Sequence, residues 1–210
     1  MKLYMIRHGE TDWNKERRLQ GQADIPLNEF GKTLACKTAE GLKNVIFDMA
    51  YTSPLIRAKQ TADIVLGDRK IPIIEEPRIQ EIGFGIFEGL CCSEEGWNIP
   101  DHEFENFFHT PEKYKAPQNG ESFEAVIKRV SKFLEELFGN EKYKDKTILI
   151  STHGASLRAM LDYIRNIPLE KFWDGGVHKN CAVTIVNYLN GRPEVEKEGI
   201  IYYDDIVKEW

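Results

Sequence analysis

Thr147-Ile148-Leu149-Ile150-Ser151, followed at once by Thr152-His153-Gly154, is the stretch that decides the fold. The run is apolar without polar alternation, which is the pattern of a strand covered on both faces, as in a parallel sheet flanked by helices. The same arrangement opens the chain, where Lys2-Leu3-Tyr4-Met5-Ile6 runs into Arg7-His8-Gly9-Glu10-Thr11. A strand that ends in His-Gly delivers an imidazole to the carboxyl edge of its sheet, and the glycine leaves room for backbone or ligand to approach. Two such strands point to one site.

Outward from these strands the patterns alternate. A polar loop is expected over residues 8–27, then a helix from Glu29 to Val45 with Asn28 as N-cap and Leu34, Ala35, Thr38, Leu42 and Val45 at helical spacing. A strand at Met49–Thr52 leads into Ser53-Pro54, read as the cap and first position of a second helix that reaches Leu66. Ile71–Glu75 is the next strand, and Phe123–Phe138 carries a wide apolar stripe ended by Gly139-Asn140. A helix over Ala155–Arg165 covers the 147–151 strand, and Ala182–Leu189 with Glu194–Tyr203 flank Asn190-Gly191, a hairpin signal. This order predicts an α/β protein: a three-layer α/β/α sandwich with a mostly parallel central sheet and an antiparallel edge.

The 210 residues contain no repeat or linker, so residues 1–210 read as a single domain. An insertion at about residues 95–120 gathers Trp97, Phe104, Phe107, Phe108 and Tyr114 among acidic residues, and is expected to fold as a small helical lid. The 28 basic and 34 acidic residues give a net charge of −6, which argues against a nucleic-acid partner. No window approaches the ~18 continuous apolar residues of a membrane span, and Met1 leads straight into a strand, so the expected location is the cytoplasm. Cys36, Cys91, Cys92 and Cys181 lack a C-x-x-C spacing and read as reduced, idle thiols.

In open α/β sheets the ligand crevice lies outside the carboxyl ends of the strands, which gives His8 and His153 a common address. Arg7 precedes one of them, and Ser53-Pro54 brings Arg57 to the same edge. Two guanidinium groups around an imidazole make a poor metal site and a good oxyanion site, because their planar donor forks match phosphate oxygens. Phosphoryl transfer needs positioning, charge stabilisation and an in-line nucleophile, and imidazole can be that nucleophile.

Arg7-His8-Gly9-Glu10-Thr11-Asp12-Trp13-Asn14 matches R-H-G-x-T-x-x-N, the signature of the histidine phosphatase superfamily, the phosphoglycerate mutase-like group. Further matches follow in order: Gln20-Gly21 with Asp24, Pro26-Leu27 and Gly31; Ser53-Pro54-Leu55-Ile56-Arg57-Ala58-Lys59-Gln60-Thr61-Ala62; Glu81 with Phe84-Gly85 and Glu88-Gly89; Gly120-Glu121-Ser122; and His153-Gly154. This resemblance implies that His8 is the nucleophile that becomes phosphohistidine, with Arg7, Arg57, His153 and Gly154 around the transferred group. It implies that Asn14 and the Gln20-Gly21 turn are further phosphate-side donors, and that Glu81 protonates the leaving oxygen and then activates water. Glu88 lies on the same loop as a rival acid, and Gly83 stands where the family more often has a polar residue. Independently, attack needs a neutral imidazole; the neighbouring arginines are expected to push the His8 pKa down, and a backbone carbonyl on Nδ1 would aim Nε2 at phosphorus. His102, His109 and His178 are expected to be solvated or structural.

Two activities begin from phosphohistidine, phosphatase and mutase. Cofactor-dependent mutases of this family carry Arg-x-Tyr-Gly after the catalytic glutamate and paired arginines in the insertion. Here Ile82-Gly83-Phe84-Gly85 follows Glu81, and no arginine occurs from Glu95 to Gly120. The expectation is therefore a metal-independent phosphomonoesterase for a small-molecule phosphate ester, resembling α-ribazole phosphatase-like and broad-specificity bacterial enzymes, with no cofactor and no metal. A phosphoglycerate mutase is the alternative, and a non-catalytic binding module of the same fold the remote one. If lid aromatics face the pocket, the leaving group is neutral or partly apolar, since a second phosphate or a carboxylate would want basic partners. The hairpin and the tail from Tyr202-Tyr203 to Trp210 offer surfaces for a homodimer, or for packing on their own core.

Overall fold

A computed structural model describes residues 1–204. In chain order the elements are β1 (Lys2–Arg7), α1 (Asp12–Lys15), α2 (Glu29–Gly41), β2 (Met49–Thr52), α3 (Ile56–Leu66), β3 (Ile73–Glu75), α4 (Asn106–His109), α5 (Phe123–Phe138), β4 (Thr147–Thr152), α6 (Gly154–Arg165), β5 (Val183–Leu189) and β6 (Arg192–Ile200). The strands form one sheet in the order β3-β2-β4-β1-β5-β6. β3, β2, β4 and β1 pair in parallel, and β5 and β6 add the antiparallel edge.

The period-two alternation of β1 sorts its side chains to two layers. Leu3 and Met5 join Ile148 and Ile150 in a cluster with Val130, Phe133 and Leu134 of α5 and Leu157 and Leu161 of α6. Tyr4 and Ile6 point the other way, with Leu149, to Leu34 of α2 and Val65 and Leu66 of α3. Helices thus cover both faces, and the architecture is the expected α/β/α sandwich. Six buried side chains dock α5, Phe123, Val126, Val130, Phe133, Leu134 and Leu137. At ~1.5–3 kcal/mol for each large apolar group this burial outweighs its intrinsic helix propensity.

Local departures from the sequence reading have local causes. The loop over 8–27 contains α1, started by a capping box in which the Thr11 hydroxyl accepts from Asn14 N and the Asn14 side chain accepts from Thr11 N. α2 keeps Asn28 as its cap, with Gly31 N donating to Asn28 Oδ1 at 2.7 Å, but ends at Gly41, short of Val45. α3 begins at Ile56 and not at Ser53-Pro54, with Leu55 as a cap that lacks a side-chain bond. β3 starts at Ile73, two residues later than expected. The hairpin turn uses Asn190 (φ 53°) and Gly191 (φ 77°), the two left-handed positions that a two-residue turn requires. All four cysteines are free.

No helix among the described residues is long and apolar enough to cross a membrane. Of the C-terminal tail, Tyr203 is buried and its hydroxyl donates to Asn180 O, while residues 205–210 lie outside the described residues. The insertion forms α4 between two 3₁₀ turns, and its aromatics divide. Phe104 and Tyr114 are buried in the core cluster, whereas Trp97, Phe107 and Phe108 also line a cleft.

Candidate active site

Parallel pairing of β1 with β4 sets Arg7 opposite Thr152, so the residues that follow emerge side by side. His8 N donates to Thr152 O at 2.9 Å, and the His8 and His153 rings lie 5.1 Å apart between centroids. β2 flanks β4 on its other side, and Ser53 N donates to Ser151 O at 3.0 Å, so a third strand end joins them. The two glycines serve close approach. A Cβ at Gly9 would lie 2.6 Å from the Gly31 carbonyl oxygen, and one at Gly154 would lie 3.0 Å from Val177 Cγ1 and 3.6 Å from Glu81 Oε2.

His8 Nδ1 is 2.7 Å from its neighbour's carbonyl, Gly9 O. A carbonyl only accepts, so the proton sits on Nδ1, and the lone pair of Nε2 has no protein hydrogen bond among the described residues. Burial holds the His8 pKa well below the ordinary imidazole range, and Arg57 and Arg7 lower it further. Burial is the larger cause, whereas the sequence reading named only the arginines. His153 is buried and held neutral in the same way, by burial first and then by Arg57. Burial pushes the guanidinium pKa values of Arg7 and Arg57 down to about 10, which leaves both charged at neutral pH.

The donors around His8 are held by backbone. Arg57 reaches Ala23 O at 2.8 Å and Gly21 O at 2.6 Å, and Arg7 donates to His178 O. Asn14 Oδ1 accepts from Thr11 N at 3.1 Å, which orients its amide and leaves Nδ2 on the other side. The Gln20 Oε1 atom lies 3.0 Å from the Thr11 hydroxyl. Three buried polar atoms of this group, Asn14 Nδ2, Arg57 Nε and His153 Nδ1, have no hydrogen-bond partner among the described residues. A buried donor without a partner costs on the order of 1–3 kcal/mol, so their clustering marks a place that a polar ligand completes.

Arg7, His8, Asn14, Gln20, Gly21, Arg57, Glu81 and Gly154 all line one cleft of about 1030 Å³. His153 sits behind that surface. Glu81 faces the cleft with its carboxylate over the start of α6, where Oε2 accepts from Ala155 N at 3.2 Å and Oε1 from Ser156 N at 3.1 Å. Glu88, the rival, is turned away: its Oε1 accepts from Gln22 N at 2.8 Å and Phe84 N at 3.1 Å. Cys92 also lines the cleft, but burial pushes its thiol up to about 12, which leaves no thiolate at neutral pH. No group of three His, Cys, Asp or Glu side chains among the described residues is arranged to hold a metal ion.

The family model of the histidine phosphatase superfamily (branch 1) matches residues 3–200. The chain belongs to this superfamily. It is 32% identical to phosphoserine phosphatase 1 of Hydrogenobacter thermophilus over 200 residues, 95% of this chain and 92% of that protein. It is also 32% identical to the probable phosphoglycerate mutase GpmB of Cronobacter sakazakii, over 90% of this chain and 85% of that one. Among solved structures, Bacillus stearothermophilus YhfR superposes with a TM-score of 0.87 at 35% identity, covering 95% of this chain and 97% of that one. As a histidine phosphatase superfamily member with phosphatase relatives, the chain fits a hydrolase acting on phosphate esters.

Several residues that shape the site were not named as site residues from the sequence. Ser53 Oγ lies 2.7 Å from His153 Nε2, a use that its position before proline hides behind a capping role. Asn180 Nδ2 donates to His8 O at 2.9 Å, and Arg129 of α5 donates to the carbonyls of Arg78, Gln80 and Glu81, which fixes the Glu81 segment. His178, buried, contributes its carbonyl to Arg7. Trp173 and Val177 line the cleft from the loop after α6. Sequence offers little hint of these roles, since each contact depends on chain segments far apart in sequence.

Proposed function

We propose that this protein is a phosphomonoesterase that hydrolyses a small-molecule phosphate ester through a phosphohistidine on His8. The observation that carries the reading is the unbonded Nε2 of a neutral His8 among buried donors that lack protein partners, in a cleft shared with Glu81. In the first step the Nε2 lone pair forms a bond to phosphorus as the ester P–O bond breaks. The leaving oxygen takes a proton from the Glu81 carboxyl. In the second step water gives a proton back to Glu81, its oxygen bonds to phosphorus, and the P–N bond breaks to release phosphate and neutral imidazole. Arg7, Arg57, Asn14 and His153 hold the charge that grows on the equatorial oxygens, with Gln20, Gly21 and Gly154 shaping the wall around them.

Hydrolysis is favoured over mutase activity by the cleft beyond the phosphate end, whose wall is aromatic and acidic. A mutase must bind a carboxylate and a second phosphate there, and both want basic partners. The activity is expected without added metal and unchanged by chelator, in the cytoplasm. The deciding experiment measures free phosphate from a panel of phosphate esters beside isomerisation of 3-phosphoglycerate. Phosphate release that His8→Ala abolishes supports the reading; isomerisation without release, or hydrolysis lost in chelator and restored by a divalent ion, overturns it.

A further inference from the structure

The cleft has two chemically opposite ends. Its floor is the basic group around His8, where buried Arg57 Nε and Asn14 Nδ2 await an acceptor. Its outer part is lined by Glu94, Glu95 and Glu105, three exposed carboxylates that make no ion pair among the described residues. The basic side chains that line the cleft beside these carboxylates are Arg17 and His109, so acidic groups outnumber basic ones there.

Between these ends runs a wall of edge-to-face rings. Trp97 meets Phe108 at 6.4 Å, Phe108 meets Phe107 at 5.0 Å, and Phe107 meets Trp173 at 5.4 Å between centroids. Both indole N–H groups are already used, Trp97 Nε1 on Ile99 O at 3.1 Å and Trp173 Nε1 on Phe107 O. The wall therefore offers π-electron surface and no indole donor, which suits a cation and disfavours an anion. Carboxylates only accept, so the rim points the same way.

Resting on the phosphatase reading above, we infer that the substrate is the phosphate monoester of an alcohol that carries an ammonium group, with the phosphate on the basic floor and the cation between the aromatic wall and the Glu94, Glu95 and Glu105 carboxylates. The ester is dipolar, and the cleft presents the complementary dipole. An alcohol bearing a carboxylate beside the ammonium would meet the same carboxylates with repulsion.

The test compares phosphocholine with 3,3-dimethylbutyl phosphate, its neutral isostere, in the wild-type enzyme and in a Glu94→Gln/Glu95→Gln/Glu105→Gln variant. The ratio of kcat/KM for the cationic over the neutral ester is expected to be about tenfold larger in the wild type than in the variant, and to shrink at high salt. A ratio that changes by less than about threefold between them overturns the inference, as does a preference for O-phosphoserine over O-phosphoethanolamine. Should the variant not fold, the same ratio in the wild type at low and high salt decides: a salt-independent ratio overturns the inference. Hydrolysis without cation preference removes this inference alone, whereas no hydrolysis of any ester removes the phosphatase reading and this inference with it.

Discussion

Ser53 Oγ and His153 Nε2 lie 2.7 Å apart, joining the ends of β2 and β4. In the tautomer in which Ser53 donates, the His153 proton sits on Nδ1, which has no protein partner among the described residues. The serine thereby turns a buried imidazole into a directed donor. Removing it should cost orientation more than affinity: Ser53→Ala is expected to lower kcat about tenfold with a smaller change in KM, and Ser53→Thr to recover most of the loss. Steady-state kinetics on one ester decides; equal loss in both variants, with a matching fall in folded fraction, would reduce Ser53 to a packing residue.

The contrast between Glu81 and Glu88 gives a leaving-group test. Glu81 lines the cleft, while the Glu88 carboxylate is occupied by Gln22 N and Phe84 N. Glu81→Gln is expected to slow alkyl phosphates by ~100-fold or more and nitrophenyl phosphate far less, because a good leaving group needs little protonation. Glu88→Gln is expected to slow both classes equally. A reversed pattern in the two kinetic series would assign the acid to Glu88.

Arg57 is fully buried and bonds Gly21 O and Ala23 O with two of its nitrogens. Lysine can supply the charge but not the fork. Arg57→Lys is therefore expected to lower kcat/KM by ~100-fold on every ester, since the loss falls on the phosphoryl group common to all. A loss confined to some esters would mean that Arg57 contacts the alcohol instead.

Burial of neutral histidines makes stability depend on pH. His8 and His153 are held well below the ordinary imidazole value and His178 at about 4, all chiefly by burial. Unfolded, these groups titrate near pH 6.5, so below that pH the unfolded chain takes up protons that the folded chain refuses. Asp162, raised to about 7 by burial, works in the opposite direction by taking a proton in the folded state. The net is about two protons, so the free energy of unfolding should fall by up to ~3 kcal/mol per pH unit between about pH 6 and 5. Urea midpoints across this interval check it; a flat profile contradicts the neutral-histidine core.

Gly9 sits where a Cβ would lie 2.6 Å from the backbone oxygen of Gly31, an atom that a rotamer change cannot move aside. Gly9→Ala is expected to displace the His8 loop, lowering both activity and the urea midpoint, by ~1–3 kcal/mol in the latter. At Gly67 (φ 55°, ψ −133°) nothing lies within 4 Å, so Gly67→Ala is expected to show only the cost of a positive-φ backbone that side chains rarely adopt, ~1–3 kcal/mol.

The mostly parallel sheet with its antiparallel edge and the layers were legible because hydrophobic period is local. The unbroken apolar runs at Leu3–Ile6 and Ile148–Ile150, and the stripe on Phe123–Phe138, report which faces are covered without knowledge of what covers them. The two His-Gly ends and Arg57 were legible for the same reason, since parallel strands carry their following residues to one edge. Helix ends were less so: the Ser53-Pro54 signal was displaced because the serine hydroxyl had a stronger use on His153.

The amino-acid sequence by itself determined the α/β/α frame, the edge at which His8, His153, Arg7 and Arg57 meet, and the family. Only the tertiary structure decided which of two glutamates faces the cleft, which lid aromatics are core and which are wall, and which donors are left without a partner. The physical reason is distance along the chain. Glu81 is aimed by backbone N–H groups of Ala155 and Ser156, and Asn180 holds the carbonyl of His8. Such bonds join segments that share no sequence period, so they exist for the reader only once the chain has folded.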